Sequence, residues 1–231
     1  MIFNFKYIEK DFDSVYPESI VSLENIPIEN VKVFRYLGDE VKYDEPSTGD
    51  AEIDLRINIA QAKFYEIIKK LTNFKIHLST RVMIFNSLVR SRLTYSCQTW
   101  NLSEVQMQRI NSIYVSMLRK LVRNGCKREE FRYMMTNHEI LQRCKTSDIQ
   151  SFILKQQTSY LGHLARQQNN SLTKRLLFND NKRTKQGRPM ESLEDKVIKK
   201  LNVTKDRFYK DALKKKGGHD HPNVDRRLSS Q

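Results

Sequence analysis

The sequence predicts a mainly α protein: a helical bundle preceded by a small antiparallel β segment and followed by a basic loop and a disordered C-terminal tail. Three observations carry that expectation. Apolar residues recur at three- and four-residue steps from residue 50 onward, the spacing of one helix face. Ser or Thr followed three residues later by Glu or Gln marks helix starts at Ser103, Thr136 and Ser147. Before residue 50 the apolar runs are short, rich in β-branched and aromatic residues, and broken by turn residues.

The β segment occupies residues 1–49. Ile2–Phe5, Ser19–Leu23 and Val31–Leu37 are its candidate strands, the last stopped by Gly38. Pro17, Pro27, Asn30 and the Asp44–Gly49 cluster punctuate them. Three short strands make a poor free-standing unit, so they need a helix or further strands across their apolar face.

The helical bundle spans 50–166. Its first helix aligns Ile53, Ile57, Ala60, Phe64, Ile67, Ile68 and Leu71 in one stripe, with Arg56, Lys63 and Lys70 seven apart on another face. Glu52 to Arg56 and Glu66 to Lys70 are i,i+4 pairs of the supporting orientation, so that basic face suits solvent as well as a ligand. A second helix is expected after Ser79, carrying Val82, Phe85, Leu88, Val89 and Leu93. The third is the best marked: Ser103 and Gln106 form the box, Ile110, Ile113, Tyr114, Met117, Leu118 and Leu121 the stripe, and Asn124-Gly125 the stop. Arg109, Arg119, Lys120 and Arg123 gather toward its far end, where cations suit the helix dipole. Thr136 to Glu139 opens a further helix, and Ser147 to Gln150 a long one bearing Ile149, Phe152, Ile153, Tyr160, Leu161 and Leu164.

Past Arg166 the character changes. Residues 167–213 begin as a basic loop: Thr173 to Met190 holds Lys174, Arg175, Lys182, Arg183, Lys185 and Arg188 against Asp180 alone. Two short helices are expected at Leu193–Leu201 and Lys205–Leu213, and residues 214–231 form the tail.

Charge follows this division. The chain's formal net charge of +14 is the sum of an acidic start, where residues 1–50 hold 5 basic and 11 acidic side chains, and a remainder with 36 and 16. A field of that sign attracts polyanions, and nucleic acid leads for a soluble intracellular chain. Three cysteines build no disulfide framework, nothing near Met1 resembles a signal peptide, and no apolar run is long enough to span a bilayer.

The sequence offers little reactive chemistry. Seven scattered glycines make no phosphate cradle, there is no Gly-x-Ser-x-Gly elbow, and no Asp-Asp pair serves two-metal catalysis. Asp11 and Asp13 are weak ligand candidates. Cys126, His138, Cys144 and His163 lack the close Cys-x2-Cys knuckle of a zinc site, and His219-Asp220-His221 has no second shell to orient it. No catalytic or metal residue is assigned. Aromatic and cationic groups are interleaved at Lys127, Arg128, Phe131, Arg132 and Tyr133, and again at Arg207–Lys210, which suits sequence-independent contact with a nucleic-acid backbone.

Four boxes in order add a family resemblance. Val33-Phe34-Arg35-Tyr36-Leu37-Gly38 resembles the strand and turn that grip the primer end in reverse transcriptases of non-LTR (LINE-type) retrotransposons. Tyr95-Ser96-Cys97-Gln98-Thr99-Trp100 is similar to a Tyr-x-x-acid-Thr-Trp box in that family's thumb, with Gln98 in the acid's place. Leu161-Gly162-His163-Leu164-Ala165-Arg166 and Gly187-Arg188-Pro189 resemble its downstream Gly-His and Gly-Arg-Pro signatures, with Leu193 where a Trp is usual.

The resemblance covers about residues 1–200 and implies a thumb-like bundle. The fingers, the palm with its aromatic-x-Asp-Asp metal site and the Mg²⁺ it holds would lie before Met1, so a fragment of an RNA-directed DNA polymerase, inactive alone and without a cofactor of its own, is expected. The expected partners are RNA, DNA or an RNA–DNA hybrid, with the missing palm and fingers, no membrane, and a nuclear location. Arg35, Tyr36, Leu37 and Gly38 would meet the primer end, and Arg119, Lys120, Arg123, Lys127, Arg128, Lys182, Arg183, Lys185 and Arg188 the backbone. Tyr95, Thr99, Trp100, Gly162, His163, Gly187 and Pro189 are expected to be structural. The competing expectation is a helical protein-interaction module or an inactive retrotransposon relic.

Overall fold

The computed structural model describes residues 50–72, 76–123, 135–177 and 191–214, with only the backbone of 176–177 and of four short β stretches. The chain divides into two compact units, Met1–Leu55 and Arg56–Gln231. The first unit shows short antiparallel backbone pairings, β1 (Ser22–Leu23) with β2 (Ile26–Pro27) and β3 (Val33–Tyr36) with β4 (Asp39–Lys42), Val33 lying opposite Lys42 and Tyr36 opposite Asp39. The expected strand Ile2–Phe5 lies outside the described residues.

The described part of the chain is mainly helical. Helix α1 (Asp50–Leu71) crosses from one unit into the other, and Ile57, Ala60, Phe64, Ile67 and Leu71 are buried along it. Asp50 and Glu52 stand in its first turn and Lys69 and Lys70 in its last, each sign at the end the helix dipole favours. Its basic face does not survive intact. Arg56 is only 5% exposed, with its guanidinium 4.4 Å from the centre of the Tyr95 ring, and Glu66 takes its hydrogen bond from Lys63 at 2.7 Å, three residues back.

Helix α2 (Leu78–Phe85) starts one residue before Ser79, because His77 Nδ1 accepts the Ser79 N–H and serves as its cap. It passes into a π-type turn at Asn86–Arg90, closed by Ser91 N–H on Asn86 O five residues back, and then into α3 (Ser91–Leu93). Side-chain hydroxyls support the widened backbone: Ser87 Oγ bonds Met83 O at 2.8 Å and Thr94 Oγ1 bonds Arg90 O at 2.9 Å.

Helix α4 (Glu104–Val122) carries the expected capping box, with Gln106 N–H on Ser103 Oγ and Ser103 N–H on Gln106 Oε1. Helix α5 (Asn137–Cys144) carries the same box at Thr136 and Glu139. The third box is a correction. Asp148, not Ser147, caps α6 (Ile149–Ala165), receiving Ser151 N–H at 2.8 Å, since a carboxylate accepts more strongly than a hydroxyl at a helix N-terminus.

Aromatic rings lock α1, α2 and α4 together. Phe64 meets Phe85 edge to face at 5.9 Å, Phe85 meets Tyr114 at 5.7 Å, and all three are fully buried. Helix α6 is buried on two sides. Ile149 and Ile153 lie in the core, while Leu154 and Leu161 join Leu193, Val197 and Phe208 of α8 (Leu193–Leu201) and α9 (Lys205–Lys214). Those two helices form where the periodicity places them because Ser192 caps α8 and Asn202, left-handed at φ 51°, ends it. Glu194 is 4% exposed and bonds both Lys205 and the Tyr209 hydroxyl, tying α8 to α9. A short helix α7 (Leu172–Leu177) follows α6.

Candidate nucleic-acid interface

The predicted backbone-contacting residues fall into two groups. Arg119, Lys120 and Arg123 end helix α4, and their surroundings differ. Arg119 is committed to structure: its guanidinium donates to Met135 O at 2.7 Å and Asn137 Oδ1 at 2.6 Å, which fastens the end of α4 to the start of α5. Lys120 is exposed, donates to Tyr65 Oη at 2.8 Å and lies 4.6 Å from the centre of that ring. Arg123 is exposed at the C-cap. Lys127, Arg128, Lys182, Arg183, Lys185 and Arg188 lie outside the described residues, as do Leu37, Gly38, Gly187 and Pro189; of Arg35 and Tyr36 only the backbone, in β3, is described.

Lys120 brings the ends of α1 and α4 together. Tyr65, 55% exposed, shares a helix face with Lys69 four residues on, and Lys120 shares one with Arg123. Lys120 lies on the exposed ring, and Lys69 and Arg123 are exposed one turn along from Tyr65 and Lys120 on their own helices. Lys69, Lys70 and Arg123 make no ion pair among the described residues.

Four further cations are engaged with backbone carbonyl oxygens. Arg81, 3% exposed, donates to Ile76 O at 2.8 Å and to Leu121 O at 3.4 Å, one of the orphan carbonyls ending α4. Lys174 Nζ reaches Ala165 O, Gln167 O and Asn169 Oδ1, each at 2.9 Å, and so closes the end of α6. Arg166 bonds Ala212 O at 3.0 Å in the last turn of α9, and Lys196 bonds Leu102 O at 2.9 Å. Each satisfies an acceptor that a neutral side chain of the same length leaves bare.

The box at 95–100 is a structural corner. Ser96 adopts the left-handed conformation at φ 62°, Thr99 Oγ1 returns to Ser96 O, and Trp100 is buried. Gln157, buried on α6, donates from one nitrogen to Cys97 O at 3.2 Å and Trp100 O at 2.8 Å, pinning the corner from across the core. Tyr95 is 44% exposed on Arg56. Gly162 is buried where α6 meets α9; a methyl group there would stand 3.5 Å from Arg166 Nη1 and 3.9 Å from Ala212 Cβ, ordinary contact. His163 is exposed and pairs with Gln167.

Neither described cysteine is set up for nucleophilic work. Burial pushes the Cys97 thiol up to about 12 and the Cys144 thiol up to about 11. Tyr114 is raised too, by burial against the opposing hydrogen bond from Thr146. Among the described residues no cluster of three His, Cys, Asp or Glu side chains could hold a metal ion, and no helix is long and apolar enough to cross a membrane.

A second polar feature escaped the sequence. Ser79, Val82, Met83, Asn86, Ser87, Arg90, Cys144 and Lys145 line an open groove of about 420 Å³ between α2, the π-type turn and the end of α5. Residue spacing carried no signal for it, because Lys145 reaches Arg90 only through the packing of α5 on α2. No family model matches the chain, and neither a curated protein nor a solved structure matches it.

Proposed function

We propose that the helical unit grips a nucleic-acid backbone without catalysis of its own, in the manner of the thumb of a LINE-type reverse transcriptase. The observation that carries this reading is the exposure of Lys69, Lys120 and Arg123 on the helix ends that meet at Tyr65, cations with a stacking ring and no acid paired to Lys69 or Arg123 among the described residues. Within that reading the helices form a thumb-like bundle that follows a small antiparallel β segment in the chain. Arg35, Tyr36, Leu37 and Gly38 serve the primer end, Lys127, Arg128, Lys182, Arg183, Lys185 and Arg188 extend the backbone contact, and the setting is intracellular and nuclear. Arg119 contributes indirectly, by fixing the α4–α5 junction.

Binding of a fluorescent RNA–DNA hybrid across a salt series tests the reading. Affinity should fall linearly with log salt, and Lys120→Ala with Arg123→Ala should lower the slope by about 2, at ~0.9 for each phosphate no longer neutralised. Absent binding at low salt, or binding without a salt slope, refutes it. With primer–template, nucleotides and Mg²⁺ the chain should extend nothing.

The internal use of Arg81, Arg119, Arg166, Lys174 and Lys196 favours a second reading, a helical protein-interaction module whose charge excess is partly architectural. A salt-independent, nucleic-acid-free complex would favour it.

A further inference from the structure

We infer that the groove between α2 and the end of α5 is a phosphate site of nucleotide size, taking a phosphorylated sugar. The inference rests on the groove alone and does not require the surface around Tyr65.

Three features of the lining point to an anion. Two cations, Arg90 and Lys145, stand in it, and no carboxylate does. Arg90 is preorganised: its guanidinium lies 4.3 Å from the centre of the Phe152 ring and also meets Tyr114, so a fork with five donors is held in place with donors to spare. Lys145 is placed by backbone geometry. It sits left-handed at φ 48° and ψ 45° as the C-cap of α5, a conformation that is costly for a residue with a Cβ, and its side chain has no bond among the described residues.

Size separates a phosphorylated sugar from a bare ion. A volume of about 420 Å³ lies within the range of small-molecule sites, well beyond one phosphate, and the 62% exposed Met83 gives the groove an apolar contact for a sugar or base. Asn86 and Arg90, four residues apart at the two ends of the π-type turn, stand on the same stretch of wall, facing the end of α5. The phosphate has two chemical sources, a free nucleotide or the backbone of a strand.

Amide NMR titration of the full chain at low salt tests the site, with adenosine monophosphate, inorganic phosphate, adenosine and a short oligonucleotide as probes. The expected result is saturable shifts at Ser79, Asn86, Ser87 and Lys145 with the monophosphate, weaker ones with inorganic phosphate and none with adenosine. Lys145→Asn removes the charge while keeping a residue that accepts the left-handed backbone, and it should weaken the monophosphate by about tenfold. Lys199→Asn, on α8, is the control and should change nothing. Displacement of the monophosphate by the oligonucleotide supports the site and assigns it to a strand; its retention supports the site and assigns it to a free nucleotide. Shifts scattered over exposed lysines without saturation, equal shifts with adenosine, or a Lys145→Asn protein that binds as before would overturn the proposal. Loss of hybrid binding with these shifts intact would sink the grip around Tyr65 and leave the groove standing.

Discussion

Replacing Gln157 by Met tests whether the corner at 95–100 is held from across the core. The side chain keeps nearly its length and volume, so packing changes little, but two N–H···O bonds disappear, to Cys97 O at 3.2 Å and Trp100 O at 2.8 Å. Cys97 O keeps the Trp100 N–H at 3.3 Å, so Trp100 O is the buried acceptor left bare. One unpaired buried group costs about 1–3 kcal/mol, and that is the expected destabilisation. Gln157→Glu should cost more at neutral pH, because a carboxylate placed against two carbonyl oxygens has only acceptors to offer, and the excess should shrink as the group protonates. Urea unfolding followed by fluorescence reads the change directly, since Trp100 is the chain's single Trp and sits in the corner itself. A Gln157→Met protein within about 0.5 kcal/mol of the parent would refute the reasoning.

Three further outcomes are expected. Gly162→Ala should stabilise by about 0.5–1 kcal/mol, because a methyl group meets only ordinary contacts at 3.5 and 3.9 Å while the helix gains a better helix former; thermal melting that shows a decrease would mean α9 sits tighter on α6 than these distances allow. Lys174→Met should cost about 1–2 kcal/mol by baring the carbonyls that end α6, measured as faster amide exchange in its last turn. The Cys97 thiol, raised from 9 to about 12 in the folded chain, contributes stability that is fully present below pH 9 and lost as pH rises toward 12. Cys97→Ala should therefore show a flatter fall in urea midpoint above pH 9 than the parent, and identical slopes would contradict the burial of that thiol.

The local code was legible because it acts over four residues or fewer. Ser103 with Gln106 and Thr136 with Glu139 satisfy each other's backbone within one turn, so the helix starts at α4 and α5 follow from adjacent residues. Where two neighbours compete the outcome depends on strength, and Asp148 displaced Ser147 at the start of α6 for that reason. The apolar stripe of α1 was equally readable, since burial of Ile57, Ala60, Phe64, Ile67 and Leu71 follows from a 3.6-residue period.

The fate of each charge was not legible in the same way. Arg56 shares a heptad face with Lys63 and Lys70, yet it alone is buried against Tyr95, because only its position along α1 lies beneath the corner. Arg81 reaches Leu121 and Lys196 reaches Leu102 across 40 and 94 residues, and no periodicity encodes such pairs. The groove between Arg90 and Lys145 belongs to the same class: one cation is set by a π-type turn, the other by a left-handed helix cap, and they meet only because α5 packs on α2. By itself the sequence determined a mainly helical chain, the capping boxes at Ser103 and Thr136, and an excess of positive charge after residue 50, all properties of near neighbours. Tertiary packing decided which cations close helix ends and which face outward, because a Lys or Arg side chain is long enough to serve either and chooses by what the fold brings within its reach.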